Sequence, residues 1–199
     1  MRWDAGISLL YPIDLQCYMV EFYRSMAEIA EILGVGKEDW NDKAENLALR
    51  INEIFYDKEK GIYADVLKDG KKHSAVYTPA SFMPLYIGIA SKKQAKECAQ
   101  FAKLHFYPAM PTVAYDDPCY VGDYWRGHTW LNVAYFAVKG LRNYGFNSLS
   151  REMREKILSF VAQNKDALYE KYDADTGAGK GCKFFSWTCA FVIEFILNF

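Results

Sequence analysis

Tyr124-Trp-Arg-Gly-His-Thr-Trp-Leu-Asn132 stands where a long irregular segment gives way to a helix, and this junction decides how the chain is read. Upstream, Tyr107 to Tyr124 holds three prolines, Asp116-Asp117 and a glycine, so it is a long loop, and such loops within compact domains are usually functional. Downstream, a helix is expected from about Thr129 to Tyr144, closed by Gly145. Two tryptophans, a tyrosine, an arginine and an asparagine at a helix start are more than core packing requires. Aromatic faces stack on the apolar faces of sugar rings, while an Arg fork and an Asn amide bond the hydroxyls around the rim. The segment reads as one wall of a carbohydrate pocket.

The same alternation of helix and loop extends in both directions. Leu15, Met19, Phe22, Met26, Ile29 and Leu33 step by four and three, giving one face of a helix that ends at Gly34. Trp40, Ala44, Leu47, Ala48, Ile51 and Phe55 repeat the pattern, so the two helices form a hairpin turning at Gly34-Val-Gly36. Ile62 to Gly70 reads as a short β-hairpin or extended loop. A third helix is expected over Ser81 to Ile89. A fourth opens on Ser91-Lys-Lys-Gln94, where Ser and Gln satisfy otherwise unpaired amides as a capping box, and runs to about Phe106. After the fifth, a sixth carries Met153, Ile157, Phe160, Val161, Asn164 and Leu168 on one stripe. Beyond the glycine-rich loop Gly177 to Gly181, Ser186 opens a last helix, apolar on almost every side, as expected of a buried element. About seven helices in hairpin pairs, with long loops at one end and little strand, describe an all-α chain of α/α-toroid type. No shift of composition divides residues 1–199, which are read as one domain.

Composition narrows the partners. About half of the 199 residues are hydrophobic, enough for a sizeable core, and the 17% aromatic content favours amphipathic ligands such as sugars. A net charge of -1 with no long Lys/Arg block argues against nucleic acid. The cysteines at 17, 98, 119, 182 and 189 are odd in number and lack CxxC spacing, as reduced thiols of a cytoplasmic protein would be. No secretory signal opens the sequence, and the apolar run Ala190 to Phe199 contains Glu194 and falls short of a bilayer span, so no membrane segment is expected. No short spacing joins Cys119, His128 and Cys182 into a metal site, and neither metal nor cofactor is expected.

Several ordered segments resemble the clan of inverting glycosidases that includes processing α-glucosidase I, mannosylglycerate hydrolase and, more distantly, trehalase. Tyr124 to Asn132 is similar to a clan motif Tyr-Trp-Arg-Gly-Pro-x-Trp-x-Asn, with His128 in place of the proline. Glu170 to Gly177 matches Glu-x-Tyr-x-x-x-Thr-Gly, and Phe185-Ser-Trp-Thr-Cys189 matches Phe-Ser-Trp-Thr-Ala. Pro111 to Pro118 and Ala80 to Leu85 look like further clan segments. The resemblance implies an (α/α)6 barrel of twelve helices in two rings, of which this chain has about seven. It also implies Glu170 as the general base. The clan's acid is an Asp in a motif like Asp-Asn-Ser-x-Arg-Trp-Asp, whose tail Arg2-Trp3-Asp4 resembles, so that acid is expected a few residues before Met1. The chain is then the C-terminal half of a barrel, truncated or started at an internal methionine, and weakly active alone.

Inverting hydrolysis needs two carboxyl groups about 6.5 to 9.5 Å apart, with a water beside the base. By residue type alone Glu170 is a solvated glutamate on a loop after a helix; the resemblance makes it the base. Trp3, Asp4, Tyr124, Trp125, Arg126, Gly127, His128, Trp130 and Trp187 are the substrate-binding candidates. Arg126 either bonds sugar or pairs with a carboxylate such as Asp117 or Asp123. Trp125 and Trp130, five apart, would not share a helix face, so one lines the pocket and the other packs in the core. Asp173 and Asp175 read as turn formers. His128 tunes substrate choice or is a satisfied structural histidine, and the second is the plainer assignment. Two other functions remain open: a half-barrel that binds sugar without catalysis and oligomerises through its open apolar faces, and a sugar isomerase of the same architecture using His105 and His128.

Overall fold

The computed structural model describes residues 9–199. Trp3 and Asp4 lie outside them. The short strand β1 (Leu10–Tyr11) leads into α1 (Ile13–Ile32), which forms a hairpin with α2 (Glu38–Ile54), turning at Gly34 as its sequence indicates. The Asp65 carboxylate accepts from the Ile13 N–H at 2.9 Å and so caps α1 from a distant part of the chain. Strands β2 (Tyr56–Asp57) and β3 (Ile62–Tyr63) pair antiparallel, and β4 (Val66–Leu67) returns to pair with β1.

The helix expected over Ser81 to Ile89 is shorter and of two kinds. A 3-10 turn at Pro79–Phe82 runs into α3 (Met83–Tyr86), with prolines at the start of each piece where a missing N–H does no harm. Helix α4 (Lys92–His105) begins with the expected capping box, Ser91 and Gln94 each accepting the other's backbone N–H. Helix α5 (Leu131–Asn143) packs against α3, α6 (Asn147–Gln163) and α7 (Ser186–Leu197). Its buried Ala134, Ala137, Val138 and Leu141 join a core that runs from α1 through to Phe195 of α7.

Three expectations change. The stripe Leu15, Phe22, Ile29 and Leu33 on α1 is exposed, whereas Ile13, Cys17, Val20, Ala27 and Ala30 make the buried face. Helix α7 buries only Thr188 and Phe195 and exposes Trp187, Ile193, Ile196 and Leu197. Both helices are apolar on more faces than this chain covers. Finally, α6 stops at Gln163, before Leu168, and the segments read as a post-helix loop and a glycine-rich loop pair as β5 (Tyr169–Tyr172) and β6 (Gly179–Lys183). No helix among the described residues is long and apolar enough to cross a membrane.

Candidate functional site

Strand β5 is fixed beside the aromatic segment by backbone and hydroxyl bonds. Thr129 and Tyr172 exchange N–H···O bonds of 2.8 and 3.0 Å, and the Thr129 hydroxyl donates to Ala109 O at 2.8 Å. From the other side, the buried Thr188 hydroxyl at the start of α7 donates to Tyr169 O at 2.6 Å. The loop ahead of α5 is held in turn by Thr112, which donates its N–H to His128 O and accepts the Gly127 N–H, each at 3.1 Å. Gly127 has φ +141°, and a Cβ there would lie 2.9 Å from Gly122 N and from the Tyr120 ring. Loop packing therefore accounts for this glycine without a ligand.

On this frame the tryptophans form a cluster. Trp125 and Trp130 stack with centroids 4.1 Å apart and planes 15° from parallel. Tyr124 and Trp187 meet Trp130 edge-on at 5.5 and 6.4 Å, and the Trp130 indole N–H donates to Tyr124 O at 3.3 Å. Neither Trp125 nor Trp130 is on a helix. Trp130 precedes α5, so the helical argument for sending them apart does not apply and the turn folds one onto the other. Trp130 is buried and Trp125 half-buried. Trp125 lines a cavity of about 240 Å³ with Asp14, Thr78, Pro79, Ala80, Thr112 and Val133. Tyr124 and Trp187 present about half of their surface to solvent.

Glu170 lies at the edge of this cluster, its side chain only 17% exposed. Oε2 accepts from Lys171 Nζ at 3.2 Å and from Cys182 N–H at 3.3 Å. Among the described residues Oε1 makes no hydrogen bond, which leaves it able to accept one from water. A register irregularity between β5 and β6 bends the carboxylate back over Gly181, whose φ is +78° and where a Cβ would sit 2.0 Å from Oε2. The Lys171 ammonium is itself buried, 4.8 Å from the Tyr124 ring centroid and 5.4 Å from that of Trp130. One cation thus joins the carboxylate to the aromatic cluster.

His128 is buried, and its Nδ1 has no hydrogen-bond partner, so it is not the fully satisfied histidine expected; the closest carboxylate, Asp123, is 3.9 Å away and mostly exposed. Burial pushes its pKa down, Asp123 and Asp173 pull it up, and Lys171 and Lys180 push it down, with a net lowering that keeps the ring neutral. For Asp173, burial raises the pKa, but N–H groups of Thr176 and Asp175 bond the carboxylate and leave it below its ordinary value. That is the expected turn former. Asp175 instead accepts from the Tyr120 hydroxyl at 3.1 Å. Arg126 is exposed and its N–H closes a turn onto Asp123 O; Asp117 takes the Cys119 N–H. His105 pairs with Asp116 at 2.7 Å beside a separate cavity of about 550 Å³ that His128 does not line, so the histidine pair of an isomerase is not assembled. No group of three or more metal-ligating side chains occurs among the described residues. Two residues escaped the sequence reading: Lys171, which no motif singles out, and Asp14, in the first turn of α1 and in the wall of the cavity that Trp125 lines.

The helical hairpins and short strand pairs around one core have the architecture of the helical-toroid glycoside hydrolases. Residues 1–188 match the mannosylglycerate hydrolase MGH1-like glycoside hydrolase domain, and the chain belongs to that family. It is 30% identical over 185 residues to mannosylglycerate hydrolase of Rubrobacter radiotolerans, covering 88% of this chain and 41% of that protein. Its structure is similar to that of the GH63 mannosylglycerate hydrolase from Thermus thermophilus in complex with glucose, with TM-score 0.82 and 25% identity over 96% of this chain and 48% of that one. Neutral trehalase Nth1 from Saccharomyces cerevisiae shares the fold at TM-score 0.76 and 19% identity, over 94% of this chain and 38% of that one. The chain thus spans less than half the length of each of these relatives, and its fold is part of an α/α toroid.

Proposed function

We propose that this chain carries the base and sugar-binding side of an inverting glycosidase acting on an α-glucoside or a related sugar, with Glu170 as general base. The observation that carries the reading is the state of its carboxylate. One oxygen is anchored by Lys171 and Cys182 and the other is open, beside aromatic faces suited to a sugar ring. A base that removes a proton from water must be held still while one lone pair stays available. Trp125, Trp187 and Tyr124 form the platform over the buried Trp130, with Arg126 at its rim. The bound glucose of the Thermus thermophilus relative supports a sugar in the corresponding fold.

The reading requires a second carboxyl group, the acid that protonates the leaving oxygen. Residues 9–199 act as one domain in this reading, joined by a continuous core. Without the acid, turnover falls by roughly 100- to 10,000-fold. Glu170→Gln keeps the shape and removes the basicity, so it should lower kcat for an α-glucoside sharply while leaving KM near its original value. Undiminished turnover would remove Glu170 from its role, and a product that keeps the anomeric configuration would exclude inversion. The open apolar faces of α1 and α7 favour a second reading, a sugar-binding half-barrel without catalysis; glucose binding with no Glu170-dependent turnover in any form of the protein would establish it.

A further inference from the structure

We infer that Lys171 is the positioning and charge-selecting residue of this site: its ammonium, seated by the Tyr124 and Trp130 rings, holds one oxygen of Glu170 and disfavours a cationic group in the sugar. The inference rests on the reading of Glu170 and the aromatic cluster as a sugar site. A lysine side chain with 8% of its surface exposed needs an anion and a polarisable face, and Lys171 has both, with Glu170 Oε2 at 3.2 Å and two ring centroids within 5.4 Å. Strand β5 supplies both charges from adjacent positions, because the irregular pairing with β6 brings Glu170 back to the side of Lys171.

The pair is neutral as a unit. A neutral pyranoside entering beside Tyr124 meets no net charge, and a protonated aminosugar finds a carboxylate already compensated by Lys171, where water screens charge poorly. Without the lysine, Glu170 would be an uncompensated anion that draws cations in. The residue therefore sets a preference for neutral over positively charged sugars, in addition to keeping Glu170 Oε2 occupied so that Oε1 faces the water.

The test is a pair of titrations, glucose and glucosamine at pH 6 where the amine is protonated, followed by tryptophan emission in the whole chain. The wild type is expected to bind glucose at least as tightly as glucosamine. Lys171→Met, of similar length without charge, and Lys171→Gln, which keeps a donor, should each move the affinity ratio about tenfold toward glucosamine, and Lys171→Arg should preserve it. Circular dichroism identifies a variant that fails to fold, and the other neutral variant then decides. An unchanged ratio with glucose still bound overturns the inference and leaves the sugar site standing. Tighter glucosamine binding by the wild type overturns it with no variant needed. Binding of neither sugar by any protein removes the sugar reading and this inference with it.

Discussion

Replacing Gly181 by alanine tests whether Glu170 is held where its proposed chemistry requires. Gly181 has φ +78°, and a Cβ built there lies 2.0 Å from Glu170 Oε2, 2.8 Å from Lys171 Nζ and 3.0 Å from Glu170 Cβ. The first two atoms are side-chain tips and can swing away, but only by leaving each other and the Cys182 N–H. The third cannot move unless the strand does. Left-handed backbone costs a side-chain-bearing residue about 1 kcal/mol, and overpacking adds about 1–3 kcal/mol. Gly70→Ala isolates the first contribution, since Gly70 has φ +70° and nothing within 4 Å of an added Cβ. In a domain of this size about 1 kcal/mol shifts Tm by about 2–4 °C. Gly70→Ala should then lower Tm by about 3 °C and Gly181→Ala by about 6–12 °C. Thermal unfolding followed by circular dichroism reads both, and tryptophan emission reports whether the Lys171 ammonium has left Trp130. If Gly181→Ala matched Gly70→Ala in Tm and left the emission unchanged, the carboxylate would not lie against Gly181 of β6 and the geometry of the site would be wrong.

Two further expectations concern pH and association. Burial holds the His128 pKa below 6.5, so the unfolded chain takes up a proton near that pH that the folded chain resists. The residue's contribution is intact above pH 6.5 and is lost as pH falls below it toward the lower folded-state value; His128→Gln should flatten the stability profile below about pH 6.5, and identical slopes would refute the assignment. The uncovered apolar faces of α1 and α7 predict self-association of the isolated chain, with Phe22→Glu and Ile193→Glu each lowering the mass seen by light scattering. A monodisperse wild-type monomer would count against it.

The helices were legible because their signals are local. Spacing of three and four marked α2 and α6, and the Ser91–Gln94 box marked the start of α4, where its reciprocal bonds are found. What failed were properties set by distant partners. Periodicity shows that α1 is apolar at Leu15, Phe22 and Ile29, but whether that stripe is covered depends on what lies beside it. The β5–β6 pair was invisible because Tyr169-Glu-Lys-Tyr172 has no alternating pattern and four of the five residues of its partner strand are glycine or lysine, a composition that by itself indicates a turn. The aromatic wall was legible from residue types. Its stacking was not, because a loop rather than a helix orients Trp125 and Trp130. Lys171 became informative only when burial placed its charge against Glu170.

The site has an order of construction that separates binding from turnover. Thr129 ties β5 to the aromatic loop, Thr188 ties the same strand to α7, and Lys171 ties the carboxylate to Tyr124 and Trp130. Each tie comes from a different part of residues 109–197, and none requires a residue outside the described chain. In the proposed reading, the base side of the site is preorganised by the packing of the described residues, which is the condition for a charged group to act without reorganisation cost. Donating the leaving-group proton is a separate requirement that these ties do not meet. On that reading the site should recognise a sugar at nearly full strength, and removing or restoring the acid should change the rate without altering the recognition.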